Sequence, residues 1–87
     1  MDAVWIRTHK DVFIRANSVM ILDNQPNGLY AECVTGSRVQ ITQGACSIAS
    51  QLTLLEEIQL AGVDDSHAVV ITPKWEQGLV IWHREIF

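Results

Sequence analysis

The sequence predicts an α+β fold: an antiparallel, hairpin-rich sheet, strongly curved or partly closed into a small barrel, with one amphipathic helix packed on it. Three observations carry this expectation. Two segments near the start, 4–8 and 12–16, alternate apolar and polar residues with the period of two that marks strands. Turn-forming residues separate the later extended runs, at 23–28, Gly36-Ser37 and 73–78. One stretch, about 47–61, switches to helical spacing. The coarse order is ββββ-α-ββ in a single domain over 1–87, because 87 residues are too few for two cores.

A three-residue loop at 9–11 closes the first hairpin, pairing Thr8 with Val12, Ile6 with Ile14 and Val4 with Ala16. This register gathers the aliphatic residues on one face. It leaves Trp5 beside Arg15 and Arg7 beside Phe13 on the other, and a slip of one residue would mix the two sets. Asn17-Ser18 interrupts the alternation, 19–22 resumes an extended apolar run, and 23–28 is the strongest loop signal, with Pro26 and Asn27-Gly28. Segments 29–35 and 38–42 then form a hairpin. A two-residue turn at Gly36-Ser37 would set Cys33 against Gln40 and mix its faces. A three-residue loop pairs Cys33 with Val39, Ala31 with Ile41 and Glu32 with Gln40, and is preferred for that reason.

The helix opens at Cys46 or Ser47, and Gly62 stands where a left-handed residue past the helix end belongs. Ile48, Leu52, Leu55, Ile58 and Ala61, flanked by Leu54, make a stripe expected to be buried, with Glu56 and Glu57 towards solvent. The last hairpin joins 68–72 to 79–83 around 73–78. It pairs Thr72 with Leu79, Ile71 with Val80, Val70 with Ile81, Val69 with Trp82 and Ala68 with His83, so both of its faces are largely apolar.

Composition bounds the function. Hydrophobic residues make up 48% and charged residues only 18%, below the ~25% usual in soluble domains. Some apolar surface is therefore expected to stay uncovered on a single copy, and a homodimer or a protein partner is the simplest cover. Residues 1–45 carry four basic and four acidic side chains, so the whole net charge of −4 sits in 46–87. A net acidic chain has no general attraction for phosphate backbones or anionic lipid, which disfavours nucleic acid as a partner. The longest apolar runs are four residues, far short of the ~20 that a membrane helix needs. No signal-peptide pattern opens the chain, and Cys33 and Cys46 make no disulfide framework or metal-ligand spacing. A reducing cytoplasm is the expected location, and no cofactor is expected.

Each candidate for chemistry has a plainer structural reading. Cys46 at a helix N-terminus would have its thiol pKa lowered by the macrodipole, and His9, His67 or His83 could supply a base. No flanking signature links them, and most cysteines are buried and inert. Cys33 is assigned to the core. His67, His83, Asp64 and Asp65 do not converge in the expected register, so no metal site is assigned. Glu56 and Glu57 point about 100° apart on a helix and cannot work as a pair. The feature with the most functional shape is the mixed face of Trp5, Arg7, Phe13 and Arg15, with Lys10 and Arg38 nearby. Interleaved aromatic and arginine side chains can stack bases or hold a peptide. They can equally be cross-strand cation–π pairs that stabilise the sheet.

Trp5-Ile6-Arg7-Thr8, followed by Val12-x-Ile14-x-Ala16-x-Ser18-Val19 and by Leu54-Leu55-Glu56-Glu57-Ile58, resembles a group of small bacterial proteins of no assigned activity. Their hairpin-rich first half runs into a short Leu/Glu-rich helix. The resemblance spans about two-thirds of the chain, leaves out 63–87, and implies a small β-rich bacterial domain without naming an activity.

The expected function is a non-catalytic binding or regulatory module, acting through protein–protein contacts and self-associating. Its interface is expected at Val70, Ile81, Trp82, Ile86 and Phe87. The alternatives are a small β-barrel nucleic-acid binder using Trp5, Arg7, Phe13, Arg15 and Arg38, and a thiol enzyme using Cys46.

Overall fold

The computed structural model describes residues 4–63 and 67–86. Seven strands and one helix follow in the order β1 (Val4–Arg7), β2 (Phe13–Arg15), β3 (Val19–Gln25), β4 (Gly28–Cys33), β5 (Arg38–Gln40), α1 (Ile48–Val63), β6 (Val69–Glu76) and β7 (Leu79–Ile86), with a 3-10 turn over Ala16–Ser18 before β3. The α+β class and the single helix hold. Five strands precede the helix, because the apolar run at 19–22 is itself a strand that extends to Gln25. The strands form two sheets, β2-β1-β6-β7 and β3-β4-β5, not closed into a barrel.

The first hairpin has the register that face segregation demands, with Trp5 opposite Arg15, Ile6 opposite Ile14 and Arg7 opposite Phe13. Thr8 N–H donates to the Val12 carbonyl at 2.8 Å, and Asp11 N–H to the Thr8 carbonyl at 3.0 Å. Asp11 has φ 61°, the left-handed residue that completes a three-residue hairpin loop. The β4–β5 hairpin repeats this geometry over 34–36: Cys33 N–H donates to Ser37 at 2.8 Å and Gly36 N–H to Cys33 at 2.9 Å. Its loop length matches the expectation, but the pairs shift by two. Ala31 faces Val39 and Glu32 faces Arg38, which keeps the same residues on the same face.

The four-stranded sheet departs from an all-antiparallel layout, since β1 and β6 pair parallel, Trp5 opposite Val70 and Ile6 opposite Ile71. A parallel pair needs a long crossover, here everything from β2 to α1. The last hairpin is longer than expected. β6 continues through Pro73 to Glu76, so Ile71 faces Arg84, Val70 faces Glu85 and Lys74 faces Ile81. The turn is Gln77-Gly78, with φ 52° and 79°. Pro73 is tolerated because its missing N–H falls on the β1 side, beyond Ile71, the last residue β1 pairs. The shift is four residues, an even number, so each side chain stays on its expected face.

Serine 47 caps the helix, its hydroxyl accepting the Ser50 N–H at 3.0 Å. Gly62 lies inside the helix, not past its end. The face turned to the four-stranded sheet carries Ser50, Leu54 and Ala61, all buried. Leu54 and Ala61 close a core with Val4, Ile6, Val69, Ile71, Val80 and Trp82 from that sheet, with Leu29 and Ala31 from the other, and with Ile41 just past β5. Ser50 Oγ donates to the Val80 carbonyl at 3.0 Å, and Trp82 Nε1 donates to the Ser50 carbonyl at 2.8 Å.

Glycine is required at the start of β4. A Cβ on Gly28 (φ 154°) would run into the Thr42 carbonyl oxygen and the Gln40 side chain, whereas one on Gly78 (φ 79°) would meet nothing. Gly78→Ala is expected to cost about 1 kcal/mol of backbone strain. Gly28→Ala, which adds overlap with backbone, is expected to cost about 3 kcal/mol. Urea unfolding of the two variants checks this order.

Candidate functional site

The aromatic and cationic face expected from the sequence exists. It is the outer face of the four-stranded sheet. Arg15 lies over the Trp5 ring at 5.3 Å and Arg7 over Phe13 at 5.9 Å. Arg7 is also paired with Asp11 of the adjoining loop, at 2.6 Å. Trp5 and Phe13, with Ala68 and Val70, rim a shallow apolar depression of about 320 Å³. Arg38 does not join this face. It stands on the three-stranded sheet, 4.5 Å from the Tyr30 ring centre and ion-paired with Asp23 at 2.7 Å and Glu32 at 3.1 Å. Hydrogen bonds from Arg38, and then from Gln25, hold the Asp23 carboxyl below its ordinary pKa. Lys10 and Arg38 do share a small groove, whose other walls include His9, Val12 and Val39.

The residues expected at an interface are scattered. Ile81 and Ile86 are exposed, at 40% and 61%. Val70 is on the outer face but buried, at 9%. The Trp82 side chain is in the core, with its indole N–H committed to the Ser50 carbonyl. Phe87 lies outside the described residues.

The chemical candidates fare differently. Cys46 precedes the Ser47 cap and is buried, at 4% exposure, with Thr42 Oγ1 3.7 Å from its sulfur. Burial raises the thiol pKa, outweighing the lowering by Thr42, so the expected activation by the helix is reversed. Asn24 clamps this residue's backbone, donating to its carbonyl at 2.5 Å and accepting its N–H at 3.3 Å. Cys33 is buried, as expected. His83 faces Thr72, not Ala68, and lies 3.9 Å from Glu76. Asp64 and Asp65 lie outside the described residues, and among those described no three potential ligands cluster. Glu56 is exposed, but Glu57 turns towards β7, its Oε2 3.5 Å from Arg84 Nε.

The most developed concavity was not foreseen. A groove of about 550 Å³ runs between one flank of α1 and β3, lined by Ile48, Gln51, Leu52, Leu55 and Ile58 from the helix and by Ala16, Val19, Met20 and Leu22 opposite. No lining side chain is charged. The stripe expected to be buried is largely this flank: Ile48 is 72% exposed, Leu52 60% and Leu55 51%, with Met20 at 66% across the gap. Apolar residues thus occupy two faces of one helix, and only the less regular face packs on the sheet. The signal available in the sequence was Ser50, Leu54 and Ala61 at i, i+4 and i+11, a second stripe disguised by its serine.

No family model, curated protein or solved structure matches this chain. Among the described residues, no helix is long and apolar enough to cross a membrane.

The burial of Cys46 has a direct consequence. Native protein treated with iodoacetamide is expected to alkylate Cys46 at least tenfold more slowly than the urea-unfolded chain, because the sulfur is buried and burial pushes the thiol pKa up. Site-resolved mass spectrometry reads the two rates. Equal rates would revive the thiol reading.

Proposed function

We propose that this protein is a non-catalytic binding module that acts through protein–protein contacts and self-associates, with the groove between α1 and β3 receiving aliphatic side chains of a protein partner. The exposed stripe Ile48-Leu52-Leu55 carries the reading. A regular helical stripe facing solvent beside an uncharged trough is the kind of surface on which an apolar segment of a partner docks. The neutral lining favours an apolar segment over a charged ligand. The nucleic-acid alternative has less support, since Arg7 and Arg38 are both ion-paired and the net charge is −4.

The dye 1-anilinonaphthalene-8-sulfonate tests whether the trough is open in solution. Folded protein is expected to enhance its fluorescence, and the double variant Ile48→Gln, Leu52→Gln to lose most of that enhancement. Because both positions are exposed, stability should change by no more than about 0.5 kcal/mol each. Native protein that leaves the dye dark, or variants that bind it unchanged, would contradict the reading.

A further inference from the structure

Resting on the self-association proposed above, we infer that two copies of the chain join β7 edge to edge, antiparallel, across a two-fold axis at Arg84. The partner is a second copy of this chain, and the product is one continuous eight-stranded sheet.

The edge itself invites this. β7 ends the four-stranded sheet and is eight residues long, without proline, glycine or bulge. The other edges are blunted: β2 and β5 have three residues each, and β3 has a bulge between Val19 and Ile21. Unprotected edge strands are templates for strand addition. In a two-residue hairpin closed by Glu76 and Leu79, the residues at 79, 81, 83 and 85 bond to β6. Those at 80, 82, 84 and 86 turn their N–H and C=O groups to the edge. The Val80 carbonyl is already taken by the Ser50 hydroxyl. Among the described residues, the segment left open is therefore 82–86, whose centre is Arg84.

Pairing about that centre is self-complementary. It sets Trp82 opposite the partner's Ile86 and so covers the exposed Ile86. It sets His83 opposite the partner's Glu85, a pair of complementary character on the outer face. It also answers an unmet demand on the inner face. Among the described residues the buried Glu57 Oε2 has no hydrogen-bond partner, and the nearest Arg84 nitrogen, Nε, stands 3.5 Å from it. A buried carboxylate oxygen left in that state is costly. The partner's Arg84 would arrive beside it, giving two arginines and two glutamates in one cluster. The groove is on the other flank of α1, so both grooves stay open in this dimer.

Two experiments on the full chain decide it. Mixed His83→Cys and Glu85→Cys chains are expected to form an 83–85 cross-link faster than either variant alone. That pair would be about 4.5 Å apart between Cα atoms, within disulfide reach. A mixture no faster than the single variants overturns the proposal, and this readout does not depend on altering Arg84. Sedimentation should show a dimer whose dissociation constant rises about tenfold or more in Arg84→Glu, where four acids would meet. Leu52→Glu should leave the constant unchanged. A dimer indifferent to Arg84→Glu but lost in Leu52→Glu overturns the β7 contact while self-association survives. A monomer at every concentration overturns both.

Discussion

The architecture turns on one buried serine. Ser50 accepts the Trp82 indole N–H on its carbonyl, donates its hydroxyl to the Val80 carbonyl, and is itself held by the Ser47 cap. Each such bond is worth about 1 kcal/mol net, but a buried indole N–H or carbonyl left unpaired costs about 1–3 kcal/mol. That asymmetry fixes the roll of α1. With Ser50 pinned over β7, Leu54 and Ala61 must face the core, and Ile48, Leu52 and Leu55 must turn about 150° away from it. A helix settled by apolar area alone would show the opposite face.

The same roll gives α1 two unlike flanks. Towards β7 it brings Glu57 up to Arg84, a half-buried ion pair at the edge of a sheet. Towards β3 it leaves an uncharged trough. The chain's low charge content, 18%, is thus not spread evenly over its surface. Ion pairs cluster on the outer face of the three-stranded sheet, around Arg38, and aliphatic side chains cluster around the helix. A charged edge suits a contact that needs a fixed register, and a neutral trough suits one that needs only shape and apolar area.

What the sequence made legible was local. The first hairpin follows from alternation plus a three-residue loop, and its cation–π pairs follow from that register. The helix is within two residues of its expected ends, and Cys33 is in the core. What escaped depends on remote neighbours. Pro73 read as a loop residue, because whether a strand tolerates proline depends on where β1 stops. The parallel pairing of β1 with β6 joins segments over sixty residues apart, which no hairpin logic reaches. The groove escaped for the same reason. Helical spacing identified the stripe Ile48-Leu52-Leu55, but its exposure is set by Trp82 and Val80, thirty residues further on.

The central claim is the roll of α1, and methyl resonances report it directly. In a sample with 13C-labelled leucine methyl groups and a soluble paramagnetic agent added, Leu52 and Leu55 are expected to broaden strongly, while Leu54 remains as protected as Leu29 in the core. Broadening of Leu54 with protection of Leu52 and Leu55 would mean that the helix packs on its regular stripe, and the account built on Ser50 would fail.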